Sequence, residues 1–255
     1  MLTTHYLSGT PCWIDVNSPD VERSNAFYTG VFGWRSITLG PEHRDYRLCQ
    51  VDGKTVAGIS QATEDNPDAA WLTYFQTPDA DAIAKTIEQA GGAILSPPRD
   101  IAGQGRMAVF ADPAGARFAV WQPGANKGLD LVTDPGSLGW IELYVPDPVT
   151  ARRFYEAVFG WSIADMPMGD TSYPVITPAG GGETSSMAGI VQLEPGDSPH
   201  WLPYFEVPDC DATVAIAQQL GGTVQAPALS VEGVGRMSFL SDPYGARFAV
   251  ITSSA

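Results

Sequence analysis

The run GRMAVFADPAGARFAVW, residues 105–121, decides the fold, because it returns near the end of the chain as GRMSFLSDPYGARFAVI, residues 235–251. A second pair, WIDVNSPDVERSNAFYTGVFGW from Trp13 and WIELYVPDPVTARRFYEAVFGW from Trp140, repeats the front of the same unit. The chain is therefore a tandem duplication. The stretch from Trp13 is displaced by 127 residues and that from Gly105 by 130, so the second half carries three more residues. Their simplest place is the Gly-rich PAGGGE, residues 178–183, since an insertion in a surface loop costs little.

Each half alternates β and α patterns. Trp13 to Asn17 shows strand periodicity, after which Asp20, or Asp147 followed by Pro148, caps a helix whose apolar face is Phe27, Tyr28, Val31 and Phe32, or Phe154, Tyr155, Val158 and Phe159. Gly33 and Gly160 end these helices. Strands follow at residues 34–39, 46–51 and 55–61, with Asp52-Gly53 as a hairpin signal. The cycle then restarts: a strand at 71–76, a helix capped by Asp79 and closed by Gly91-Gly92, and strands at 93–95, 106–110 and 117–121, the last two joined by an Asp112-Pro-Ala-Gly turn. The second half repeats this plan, giving four βαβββ modules. Residues 1–125 and 139–255 are expected to be two domains, with the Pro-, Gly- and Asp-rich 126–138 as linker.

At 255 residues and 44% hydrophobic, the chain can bury two cores. The N-terminus lacks a basic region followed by an apolar run, and no stretch approaches a membrane span, so a soluble cytoplasmic protein is expected. Cys12, Cys49 and Cys210 make no disulfide framework and read as small buried hydrophobes. A formal net charge of −15 without any basic stripe argues against nucleic acid; it either suits a neutral or cationic partner or serves solubility.

The strand followed by Pro-Asp, the motifs FYTGVFGW and FYEAVFGW, the helix ends AGG and LGG, and the DPxG turns together resemble the vicinal oxygen chelate superfamily, also called the glyoxalase/bleomycin-resistance/dioxygenase superfamily. The likeness covers nearly the whole chain and is greatest to tandem-domain actinobacterial members of the glyoxalase-like and hydroxylase type. It implies an α+β fold: four βαβββ modules forming two tandem glyoxalase-like domains with cupped mixed sheets, helices on the convex side and a small-molecule ligand on the concave side. The superfamily includes lyases, dioxygenases, isomerases, resistance enzymes and antibiotic-binding proteins, so the fold does not choose an activity.

The resemblance also implies where a divalent metal would be held, and those positions hold other residues here. The first-strand His position, seven residues before the Asp of the helix cap, is Trp13 or Trp140; the second His position is Leu72 or Leu202; the last-strand Glu position is Ala119 or Ala249. No match to the remaining ligand is evident near residues 58–61 or 189–192. His5, His43 and His200 supply no replacement set, and His200 reads as a rim histidine. The expectation is no metal and no cofactor.

Strand alternation assigns the concave lining. Inward positions are Trp13, Asp15, Tyr74, Arg117 and Trp121 in the first half, and Trp140, Glu142, Tyr144, Tyr204, Glu206 and Arg247 in the second. Such a mixture of indoles, phenols, carboxylates and Arg suits an aromatic, amine-bearing ligand. The same residues would also serve as sheet interior, with Arg117 and Arg247 paired to Asp15 and Glu142, or as a dimerisation face, so monomer and homodimer both stay open. Glu142 and Glu206, expected to share one cavity, are the candidate acid–base pair of an alternative reading, an enzyme of the same fold (lyase, isomerase or oxygenase) that uses this pair or a metal held at positions other than those counted above. The bland alternative is two solvated or Arg-paired acids.

Overall fold

The computed structural model describes every residue except Asp65, Gly169, Asp170, Glu183 and Ala255. The first half runs β1 (Pro11–Ser18), α1 (Val21–Phe32), β2 (Arg35–Thr38), β3 (Arg47–Val51), β4 (Lys54–Gln61), β5 (Ala70–Gln76), α2 (Ala80–Gln89), β6 (Ala93–Ile101), β7 (Gly105–Ala111) and β8 (Arg117–Pro123). The second runs β9 (Leu138–Val145), α3 (Pro148–Phe159), β10 (Ser162–Met168), β11 (Thr171–Thr177), β12 (Ala188–Gln192), β13 (His200–Glu206), α4 (Cys210–Gln219), β14 (Thr223–Val231), β15 (Gly235–Ser241) and β16 (Arg247–Ser253). The result is an α+β chain of four βαβββ modules, as expected, with two eight-stranded mixed sheets ordered β2-β3-β4-β1-β5-β8-β7-β6 and β10-β11-β12-β9-β13-β16-β15-β14.

The local signals act as their chemistry requires. Asp20, Asp79, Asp147 and Asp209 each accept backbone N–H bonds at a helix N-terminus, satisfying donors that have no partner within the helix. Asp52 and Gly53 take φ of 49° and 77°, the left-handed pair that a two-residue hairpin between twisted strands favours. β6 is longer than the expected 93–95. It continues through Pro97 and Pro98 because it is an edge strand whose register shifts between Ile94, Ser96 and Arg99 leave both prolines outside the pairing with β7.

The extra residues of the second half also find their place. Displacement between the halves is 127 at Tyr46 and Tyr173, 131 at Gly58 and Gly189, and 130 at Trp71 and Trp201. The lengthening therefore lies between Tyr173 and Gly189, where it was expected, and the loop before β13 gives one residue back. Glu183, inside the expected insertion, is outside the described residues.

Chain contacts divide the molecule into two compact units that do not follow the repeat. One comprises residues 1–13, 73–128 and 140–201, the other 14–72, 129–139 and 202–255. Each is therefore built from parts of both halves, and each has its own aromatic core. In the first unit Phe154, Tyr155 and Phe159 of α3 pack on Phe118 of β8, while Phe75 of β5 meets Trp161 and Trp201. In the second unit Phe27, Tyr28 and Phe32 of α1 pack on Phe248 of β16, and Phe205 of β13 meets Trp34 and Trp71. The outward residues of β8 and β16, Phe118, Val120, Phe248 and Val250, are all fully buried.

Each core contains one polar relay. In the first unit Trp201 Nε1 donates to Tyr155 Oη (3.0 Å), which donates to Asp112 Oδ2 (3.2 Å), and Asp112 Oδ1 accepts the N–H groups of Ala114 and Ala116 (2.9 Å each). In the second, Trp71 Nε1 donates to Tyr28 Oη (3.1 Å), which donates to Asp242 Oδ2 (3.0 Å), and Asp242 Oδ1 accepts from Tyr244 and Ala246 (2.9 Å each). The FY of the helix and the Asp of DPxG are thus two ends of one network. Burial raises both carboxyls above the ordinary 3.8, and burial with the adjacent Asp raises both phenols well above 10.0, so Tyr28 and Tyr155 remain donors.

Candidate functional site

β1 lies parallel to β4 with Asp15 opposite Gly58, and β9 lies parallel to β12 with Glu142 opposite Gly189. Across each glycine lies a tyrosine. A Cβ on Gly58 would sit 1.9 Å from Tyr46 Oη, and one on Gly189 would sit 1.8 Å from Tyr173 Oη. Only glycine admits the phenol there. The phenol thereby reaches the carboxylate: Tyr46 Oη donates to Asp15 Oδ2 at 3.0 Å, and Tyr173 Oη to Glu142 Oε1 at 2.5 Å.

Around Glu142 the network extends further, all within the first unit. Trp140 Nε1 donates to Tyr173 Oη (3.0 Å), and Tyr144 Oη donates to Glu142 Oε2 (2.8 Å). Both carboxylate oxygens are therefore held by phenols, an arrangement stronger than neutral pairing. The Tyr144 ring stacks on His200 with centroids 4.9 Å apart and planes 2° apart. His200 Nδ1 lies 2.8 Å from the Ser198 carbonyl, which can only accept, so Nδ1 carries a proton. Burial, then the Glu142 charge, pushes the Tyr173 phenol far above 10.0, making it a fixed donor and not a base. Glu142 is buried, while Trp140 and Tyr144 are half-buried.

The second unit holds Asp15 with Tyr46, and beside them Asn17, whose Nδ2 donates to the carbonyls of Asn66 (2.9 Å) and Asp68 (2.8 Å). Glu206, also in this unit, accepts from Ser253 N (2.8 Å) and Ser253 Oγ (2.9 Å), so it fastens the end of β16. Glu142 and Glu206 are held by different partners, phenols for one and the terminal strand for the other. Tyr204 is buried edge-on to Phe239, with centroids 5.9 Å apart. Arg247 is exposed at the first position of β16, as Arg117 is on β8 in the first unit. Trp13 and Tyr74 are buried, and Trp121 is buried with its Nε1 donating to Asn126 O (3.0 Å).

The residues at the superfamily's metal-ligand positions do not fit a divalent ion. Trp13, Leu72 and Ala119 on β1, β5 and β8, and Trp140, Leu202 and Ala249 on β9, β13 and β16, offer no carboxylate, imidazole or thiolate. Among the described residues no three His, Cys, Asp or Glu side chains gather into a metal-binding group. Cys12, Cys49 and Cys210 are free and buried; burial raises the Cys12 thiol, and pushes Cys49 up to about 12 and Cys210 up to about 11, so none is an activated nucleophile. No helix of the described residues is long and apolar enough to cross a membrane.

Tyr46 and Tyr173 escape the strand-alternation reading, Tyr46 lying just before β3 and Tyr173 on β11, away from the strands taken to line the site. Their signal was available: a tyrosine recurring at the same repeat position, each followed by a glycine in the last strand of its module, β4 or β12.

The family model for the Glyoxalase/Bleomycin resistance protein/Dioxygenase superfamily matches residues 11–120 and 137–250. The chain is 41% identical to the anthracycline biosynthesis protein DauV of Streptomyces sp. (strain C5), over 97% of this chain and 94% of that protein. It is likewise 41% identical to the anthracycline biosynthesis protein DnrV of Streptomyces peucetius, with the same coverage of both chains. Among solved structures, the 2,3-dioxygenase LapB from Pseudomonas sp. KL28 superposes with a TM-score of 0.66 at 15% identity, covering 97% of this chain and 94% of that one. At that identity the likeness concerns the fold.

Proposed function

We propose, from the premise that this chain belongs to the Glyoxalase/Bleomycin resistance protein/Dioxygenase superfamily, that it binds a small aromatic organic molecule without a divalent metal, as an antibiotic-binding, resistance or biosynthetic accessory protein. The observation that carries this reading is Glu142, a buried carboxylate clamped by Tyr173 and Tyr144 between the half-buried Trp140 indole and the Tyr144–His200 stack. Flat aromatic surface next to a fixed acceptor is what an aromatic ligand with hydroxyl or amine groups recognises. The relatives named for anthracycline biosynthesis support a hydroxylated polycyclic quinone as the ligand class. Net charge of −15 supports a ligand that is not an anionic polymer.

The test is fluorescence titration with an anthracycline aglycone. Trp140→Ala is expected to weaken binding about tenfold or more while the circular dichroism spectrum stays that of the parent. Unchanged affinity in both Trp140→Ala and Trp13→Ala would contradict the reading.

A second reading, an enzyme of the same fold, is favoured by the contact of Glu142 with the half-exposed Tyr144 hydroxyl, through which a proton can reach the carboxylate. In that case Glu142→Gln abolishes turnover and leaves affinity nearly intact. Under the binding reading the same variant loses affinity.

A further inference from the structure

The two halves carry a carboxylate, a phenol and a glycine in the same arrangement, and we infer that only the Glu142 arrangement is a ligand site, reading a proton-donating group on an aromatic ligand, whereas the Asp15 arrangement, flanked by buried residues, is structural. This rests on the function proposed above.

Exposure of the flanking residues separates them first. Asp15, Glu142 and the two glycines are buried and both phenols half-buried in either half, but Trp13 and Asn17 beside Asp15 are buried, whereas Trp140 and Tyr144 beside Glu142 are half-exposed. The third position of the set separates them further. Asn17 spends both amide hydrogens on the carbonyls of Asn66 and Asp68, and Thr63 and Asn66 bridge each other by two backbone bonds, so Asn66 and Asp68 are held against β1. Tyr144 replaces Asn17 in the second half and has no amide with which to hold such a loop. Its hydroxyl turns to Glu142 Oε2 and its ring to His200.

The two phenols on Glu142 are also unequal. Tyr173 lies over Gly189 and receives the Trp140 indole N–H, so it is a positioning residue that fixes Oε1. Tyr144 is half-exposed, and its bond to Oε2 is the one that an incoming hydroxyl or ammonium donor replaces with little rearrangement. Oε2 is therefore the recognition atom. A ligand without a donor at that place leaves the carboxylate with no gain over its bond to Tyr144.

The experiment is a calorimetric titration of the full chain with 1,2-dihydroxyanthraquinone and, separately, with its dimethyl ether. One equivalent of the dihydroxy compound is expected to bind, and the ether about tenfold or more weakly. Glu142→Gln is expected to lower affinity for the dihydroxy compound about tenfold and to erase its advantage over the ether, while Asp15→Asn stays within about twofold of the parent. Tyr144→Phe, which removes that competing donor, is expected to bind the dihydroxy compound at least as tightly as the parent. Two equivalents, or equal losses from Asp15→Asn and Glu142→Gln with melting temperatures unchanged, would overturn the inference and leave the proposed function standing. Binding of neither compound to the parent protein would overturn both.

Discussion

Asp15 and Glu142 occupy one position of the repeat, and Asp112 and Asp242 come from another, yet the first pair has diverged in residue and surroundings while the second has not. Asp112 and Asp242 each serve two backbone N–H groups and one buried phenol, with the same partners at nearly the same distances. Every atom of that relay is committed, and any change strands a buried polar group. Asp15 and Glu142 share the phenol across the glycine. The neighbouring positions are free to differ, and there the halves part: Asn17 ties a loop, Tyr144 faces a histidine. Duplication has kept the relays that hold the fold, while the surroundings of Asp15 and Glu142 have diverged.

The largest effect that could break this comparison is expected from Asp112→Ala and Asp242→Ala. Each removes the acceptor of two backbone N–H groups and a buried tyrosine, for about 3 kcal/mol or more in urea denaturation. The two losses are expected to match; a mild effect in one would show that the relays are not equivalent. Next come Gly58→Ala and Gly189→Ala. Either Cβ meets a phenol oxygen at under 2 Å, so both are expected to cost about 1–3 kcal/mol as the tyrosine is pushed aside. Only Gly189→Ala is expected to weaken aromatic-ligand binding, because only there does the displaced phenol hold the recognition carboxylate.

A smaller effect is one of pH. Burial raises Asp112 and Asp242 above 3.8, so the native state binds more protons than the unfolded chain; their stabilisation is complete below 3.8 and is lost as pH rises through the raised values. The helix-capping Asp20 and Asp147, and the Arg-paired Asp81 and Asp211, shift the other way, chiefly through hydrogen bonds to their ionised forms. Their stabilisation is present above 3.8 and is lost as pH falls through the lowered values. Asp112→Asn is therefore expected to remove part of the stability loss on going from pH 4 toward neutrality, as measured by urea midpoints at stepped pH. A curve parallel to the parent's would contradict the buried-acid assignment. The smallest effect is expected from Asp81→Asn and Asp211→Asn, which break the matched surface pairs with Arg106 and Arg236. Both are expected to shift the midpoint only slightly, and less at high salt.

Much of the fold is legible in the residues because its signals are local. The caps at Asp20 and Asp147, the turn at Asp52-Gly53 and the internal repeat each need only a few neighbouring positions. Which modules share a core is not legible in this way: Phe118 and Phe248 have the same neighbours in the repeat, and nothing in either stretch says that one packs on α3 and the other on α1. The length of β6 is hidden by Pro97 and Pro98, which local rules exclude from a paired strand and which the edge position and bulges accommodate. At the site, alternation along β9 brings Trp140, Glu142 and Tyr144 to attention, but Tyr173 arrives from another strand over a glycine, a contact that period-two patterning does not encode. Glu206 follows the same pattern as Glu142, and only tertiary structure shows it fastened to Ser253.

The central claim, an aromatic-ligand site on Glu142 that works without a metal, is tested most directly by calorimetric titration of chelator-treated protein with 1,2-dihydroxyanthraquinone, repeated after adding stoichiometric Mn(II) or Fe(II). The account predicts binding in the chelated protein with an affinity that neither ion changes by more than about twofold. Binding that appears only once metal is restored would contradict it.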